Sequence, residues 1–261
     1  MRGLTDRISV VTGGGGGIGR AVAQRLANEG AAVLVVDVNA DAARRVADDV
    51  VATGGRATHL SVDVRDEEAL QAVPATALSA FGAEPDLYVC NAGYQTFATV
   101  DQIDAQQWHD VLDINAHGSF LTMRTASESM QRIDSTGTIV TVASIQARLG
   151  SIYYPHYSAS KAAVLSLTKS FALSLAPHQI RVNCVAPGVV DTELWAKADR
   201  KMAALRGVLP GVPKQERIAQ VPLGRGGHPD DVAGAVAFLS SDDASYITGE
   251  CLHVCGGDVM L

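Results

Sequence analysis

An alternation along the chain restricts the fold more than any other feature. Seven short apolar runs rich in β-branched residues lie at 8–12, 31–38, 57–64, 86–90, 137–144, 180–187 and 250–256. Between them, helical periodicity covers 17–29, 40–53, 66–82, 104–131, 157–176 and 229–240. Several runs, "AAVLVVDV" among them, are apolar at nearly every position instead of at alternate ones. Strands of that kind are covered on both faces, as in parallel sheets flanked by helices. Repeated strand–helix units with right-handed crossovers therefore predict an α/β fold. It is a single Rossmann-like, doubly wound parallel sheet of about seven strands with helices on both faces. Asp104, with Gln107 three residues on, marks the start of the fourth helix as a capping box.

One stretch breaks the rhythm. After "VAPGVV" come about thirty-five residues, charged in places, with one Trp and an "LPGVP" breaker before the next helix at 229. An insertion of that length beside a strand's carboxyl end reads as a substrate loop or lid, spanning about 189–225. No linker or repeat divides the chain, so residues 1–261 are expected to form a single dinucleotide-binding catalytic domain.

Composition excludes several function classes. A net charge of −7 argues against nucleic acid or an anionic membrane as partner. No apolar run is long enough to span a bilayer and no signal-peptide pattern opens the chain, so a cytoplasmic protein is expected. The cysteines Cys90, Cys184, Cys251 and Cys255 lie in or beside apolar runs. If "ECLHVC" is a strand, Cys251 and Cys255 are roughly 13 Å apart, too far for a disulfide. Neither a disulfide nor a metal site is expected.

The first strand leads into "VVTGGGGGIGRAV", which then opens a helix. A glycine loop in that context lets the backbone approach a pyrophosphate, whose charge rests on the helix N-terminal amides. The five-glycine run accommodates three different spacings, and nothing inside it chooses between them. Asp37 ends the second strand about twenty residues on, where a carboxylate accepts from ribose hydroxyls and repels a 2′-phosphate. Gly16 and Val38 place no cation there, so NAD is expected over NADP. Asp63 and Val64 end the third strand, and Asn91-Ala92-Gly93 the fourth. Further on, Tyr157 and Lys161 stand four apart on one helix face, and Ser144 closes a strand thirteen residues before the tyrosine. Asn115 occupies a helical position where asparagine has poor propensity.

Taken in order, Thr12-Gly13…Gly17-Ile18-Gly19, Asp63, Asn91-Ala92-Gly93, Asn115, Ser144, Tyr157…Lys161 and Pro187-Gly188…Thr192 resemble the short-chain dehydrogenase/reductase family, its single-domain branch. The resemblance runs nearly end to end and selects Thr12-Gly13…Gly17-Ile18-Gly19 as the meaningful spacing. It implies Tyr157 as general acid/base and Lys161 as the holder of the nicotinamide ribose and depressor of the tyrosine pKa. It further implies Ser144 on the substrate oxygen and Asn115 fixing a water that links Lys161 to solvent. Gly13, Gly17, Ile18, Gly19, Asp37, Asp63, Val64, Asn91, Ala92 and Gly93 would bind cofactor. Pro187, Gly188, Val190 and Thr192 would meet its nicotinamide end. An acidic residue expected before the last Gly-Gly is Cys255 here. The family implies a homo-oligomer, commonly a tetramer.

The C-terminal third looks most like polyol dehydrogenases of the sorbitol type. Gln146 and Trp195 are the expected substrate contacts, with Tyr94, Tyr154 and His156 as further pocket candidates. The absence of a basic cluster in the lid makes a phosphorylated or carrier-bound substrate less attractive. Two alternatives stay open: a 3-oxoacyl thioester or other ketone reductase, and a non-catalytic dinucleotide-binding protein.

Overall fold

The computed structural model describes residues 1–260. Seven strands, β1 (Ile8–Thr12), β2 (Ala32–Asp37), β3 (Arg56–Ser61), β4 (Leu87–Cys90), β5 (Gly137–Val142), β6 (Ile180–Pro187) and β7 (Cys251–Val254), form one sheet. Every pairing is parallel and the order is β3-β2-β1-β4-β5-β6-β7. Strand order reverses between β1 and β4, so a crevice opens at their carboxyl ends, the usual ligand position in such sheets.

Both faces are buried. Val11, Val33 and Val35 pack toward α1 (Gly17–Asn28), α2 (Ala40–Ala52) and α10 (Pro229–Ser240). Their neighbours Val10, Leu34 and Val36 point the other way, toward α4 (Ala72–Phe81), α6 (Gly118–Arg132) and α7 (Pro155–Leu175). This is the two-residue alternation of a strand written entirely in apolar residues. Each fully buried leucine, such as Leu26 or Leu121, contributes about 2 kcal/mol relative to exposure.

Three local differences from the sequence expectation bear on the site. The third strand stops at Ser61 and does not reach 64, because Asp63 turns back to take the backbone N–H of Arg65. The expected long fourth helix is three pieces: α5 (Ala105–Leu112), a π-helical turn (Asp113–His117) and α6. Its start does carry the capping box, Asp104 accepting from the Gln107 N–H at 2.7 Å. The supposed lid loop is largely helical, with α8 (Glu193–Arg206) and α9 (Val212–Ala219). Thr192 caps α8 by accepting from the Trp195 N–H, and Gly207 ends it at φ +66°. "LPGVP" is the corner between the two helices, and Asp199 braces it by accepting the N–H groups of Gly211 and Lys214. The short α3 (Glu67–Leu70) completes the list.

Candidate active site

A cleft of about 500 Å³ runs from the β1–α1 loop to the α8–α9 pair. Its first end is made by backbone. A side chain at Gly19 would place Cβ 2.1 Å from the Gly13 carbonyl oxygen, so loop and helix meet only through glycine. Helix α1 starts with no side-chain cap and no acidic residue in its first turn, leaving its N-terminal amides for an anion. The Asn91 side chain donates to the carbonyls of Thr12 and Gly13 at 3.1 and 3.0 Å, tying the ends of β1 and β4 together. Asp37 accepts from the N–H groups of Gly15 and Asn39, both at 2.9 Å, and its carboxylate faces the cleft. A Cβ at Gly15 would collide with Asp37 at 2.8 Å, whereas one at Gly16 would meet nothing within 4 Å. The loop thus suits a dinucleotide pyrophosphate followed by a ribose.

Gly13, Gly17, Ile18, Asp37, Asn91 and Gly93 line this cleft, and so do Pro187, Gly188, Val190 and Thr192. Gly19, Asp63, Val64 and Ala92 are not among the lining residues. Asp63 has both carboxylate oxygens engaged by the Arg65 guanidinium, which holds it below the usual carboxylate range. Val64 is buried against Gly118, where an added Cβ would stand 2.5 Å from it.

At the cleft's centre, β5 delivers Ser144, and the start of α7 delivers Tyr157 and Lys161. Burial pushes Tyr157 up to about 12, with a hydrogen bond to Ser144 acting the other way. Burial also pushes Lys161 down to about 8. The Lys161 ammonium donates to the Val142 carbonyl at 2.8 Å and lies 5.8 Å from the tyrosine ring centroid. Asn115 sits in the π-helical turn, fully buried; its Oδ1 accepts from the Tyr94 N–H at 2.7 Å. Its Nδ2 donates to the Tyr94 carbonyl and to Ser160 Oγ, each at 2.9 Å. A Cβ on Gly93 would be 3.4 Å from Asn115 Oδ1 and 3.5 Å from Lys161 Nζ, so both groups converge on this glycine.

The family model described as enoyl-(acyl carrier protein) reductase matches residues 13–258. The chain belongs to the short-chain dehydrogenase/reductase family. Cis-4-hydroxycyclohexanecarboxylate dehydrogenase of Sinomonas cyclohexanicum is 40% identical to it, over 97% of each chain. Galactitol 2-dehydrogenase of Agrobacterium fabrum is 36% identical, over 98% of this chain and 99% of its own. A solved structure assigned as an NAD(P)-dependent gluconate 5-dehydrogenase candidate from Beutenbergia cavernae, with NADP at low occupancy, superposes with a TM-score of 0.86. It is 35% identical, over 97% of each chain. As a short-chain dehydrogenase/reductase, this protein is an oxidoreductase of alcohol or ketone substrates that uses a nicotinamide cofactor.

The far end of this dehydrogenase/reductase's cleft holds residues that the sequence reading passed over. Gln146 and Trp195 line it as expected, and Tyr154 joins them, its ring edge-on to that of Tyr157 at 6.2 Å. Tyr94 and His156 do not line it; His156 is buried and bonded to Thr96 at 2.6 Å. Glu193, Lys197 and Arg217 also line it, so the end is charged, with each of the two cations paired to an acid. The overlooked signal was spacing within α8 and α9, which a loop reading hides. Cys255 packs its Cβ against Gly188, where a glycine Cβ would be 2.9 Å away, and its thiol donates to the Val259 carbonyl. All four cysteines are free, and among the described residues no cluster of His, Cys, Asp or Glu could hold a metal. No helix is long and apolar enough to cross a membrane.

Proposed function

We propose that the protein oxidises a secondary alcohol, of the polyol type, with NAD. The observation that carries this reading is one continuous cleft with Asp37 at one end and Ser144, Tyr157 and Lys161 at its centre. A carboxylate fixed by two backbone amides accepts both ribose hydroxyls of an adenosine and repels a third phosphate there. Open space at Gly16 and an exposed Val38 provide no cation to reverse that preference.

In this scheme the Tyr157 oxygen takes the hydroxyl proton of the substrate, and Ser144 donates a hydrogen bond to the same substrate oxygen. Lys161, anchored by the Val142 carbonyl, would hold the nicotinamide ribose. Asn115 keeps the Tyr94 segment and Ser160 in place around it, and a water on Asn115 links Lys161 to solvent. The loop and α1 N-terminus, with Gly13, Gly17, Ile18 and Gly19, take the pyrophosphate; Asp63, Val64, Asn91, Ala92 and Gly93 flank the adenine and ribose. Pro187, Gly188, Val190 and Thr192 meet the nicotinamide. When bound, that group accepts the hydride and brings a positive ring that favours the tyrosinate. Gln146 and Trp195 contact the substrate, and α8–α9 act as the lid of one domain. The family resemblance supports assembly into a homo-tetramer.

Similarity to the 3-oxoacyl-[acyl-carrier-protein] reductase of Aquifex aeolicus, 34% identical, supports a second reading, reduction of an acyl thioester ketone; Asp37 weighs against it through the cofactor. The deciding experiment measures NAD and NADP reduction against polyols, simple secondary alcohols and 3-hydroxyacyl thioesters. Polyol turnover at least tenfold faster with NAD supports the proposal. Turnover confined to thioesters, or a preference for NADP, overturns it.

A further inference from the structure

We propose that the substrate carries a carboxylate, held by Arg217 at the lid end of the cleft. The inference deepens the secondary-alcohol reading and rests on it. Arg217 projects from α9 into the lining of the same cleft as Tyr157. Two bonds fix its guanidinium, one to Gln220 Oε1 at 2.8 Å and one to Asp258 Oδ2 at 2.6 Å. A guanidinium has five N–H donors, so three are left after these bonds. Asp258 is itself only 4% exposed and approaches from the C-terminal segment, so it orients the cation without covering its cleft side.

A second observation points to the same ligand chemistry. Trp195, lining this end, has a buried indole N–H with no hydrogen-bond partner among the described residues. An indole nitrogen only donates, as does a guanidinium, and a buried unpaired donor is costly. A ligand group that only accepts, and is negative, satisfies both; a carboxylate is that group. A hydroxyl satisfies the indole but gains nothing from the charge. The competing charges are accounted for: Glu193 and Lys197 also line the cleft, but they pair with each other at 2.9 Å and are largely exposed. Tyr154 and Trp195 both pack against the Phe97, Ala198 and Met202 cluster, and the Tyr154 ring lies 6.2 Å from that of Tyr157, so these residues and Arg217 share one lining. The substrate is thus a hydroxy acid with its reacting hydroxyl and its carboxylate at opposite ends of a short carbon skeleton.

The test uses the full-length protein saturated with NADH and an isosteric dead-end pair, cyclohexanecarboxylate and cyclohexanecarboxamide, with binding read by calorimetry. The acid is expected to bind roughly 10- to 100-fold tighter than the amide, as befits a charge-assisted contact. Arg217→Met should bring that ratio to about one. Asp258→Asn, which removes the competing anion, should keep or raise it. Equal affinities in the unaltered protein overturn the inference, and so does a fall in both affinities by the same factor in Arg217→Met. A parallel turnover assay with 4-hydroxycyclohexanecarboxylate and cyclohexanol separates the two readings. Acid binding without oxidation of any alcohol overturns the alcohol reading alone; oxidation with equal acid and amide affinities overturns the carboxylate alone.

Discussion

The two ends of the cleft are built from different materials. At the cofactor end the contacts are main-chain: Gly19 on the Gly13 carbonyl, Asp37 on two amides, Asn91 on two carbonyls. At the substrate end most join side chain to side chain: Lys214 on Asp191, Arg217 on Asp258 and Arg206 on Glu216, with Asp199 on the backbone amides of the α8–α9 corner the exception. Backbone contacts demand particular residue types at particular spacings, because few residues permit such approaches. Side-chain pairs can be exchanged for others without moving the chain. One end therefore specifies a cofactor class rigidly, and the other can be retuned for different substrates.

The centre, shared by both ends, carries the largest expected effect. Tyr157→Phe should lower turnover by about 1000-fold or more. NADH affinity, read by fluorescence titration, should change by less than about threefold, since the loop that binds it is untouched. Retained turnover would move the acid/base role elsewhere. The pH dependence comes next. With Tyr157 up at about 12, its ionised fraction grows about tenfold per pH unit below that value. Alcohol oxidation, which needs the phenolate, should rise across pH 6–9, whereas ketone reduction, which needs the phenol, should not. Initial rates in both directions test this; an oxidation rate flat with pH would remove the tyrosine from the rate-limiting proton step. At the rigid end, Asp37→Ala with Val38→Arg should move the NAD/NADP preference by about 10- to 100-fold toward NADP. An unchanged ratio of kcat/KM values would break the ribose assignment. The smallest effect belongs to the adaptable end. Asp199→Asn should raise the substrate KM about three- to tenfold and leave NADH affinity alone, with faster proteolysis between Gly207 and Val212.

The same contrast governs what the sequence could disclose. The sheet was legible because parallel strands buried on both faces read as runs such as "AAVLVVDV". The loop and the Ser144, Tyr157 and Lys161 set were legible only jointly, because their order along the chain resembles one family; the five-glycine run alone admits three spacings. The α8–α9 pair was not, since its many charges and the "LPGVP" break read as a loop; only Thr192 and Gly207 marked the ends of α8. The end of the third strand was misread because the Asp63–Arg65 turn that follows it spans only two residues, and no periodicity registers a turn of that size. Arg217 escaped because its meaning depends on Asp258, forty-one residues on.

The π-helical turn at Asp113–His117 has a consequence for how this site can change over time. A π turn holds one more residue than the α-helical path it replaces, and each helical residue turns the chain by roughly 100°. Losing a single residue here would straighten the segment and swing Asn115 away from Tyr94 and Ser160, although every neighbouring residue type was retained. Point substitutions can be sampled one at a time at this position, but a change of length cannot. In descent, then, the segment behaves as a fixed count of residues around one fixed identity, Asn115.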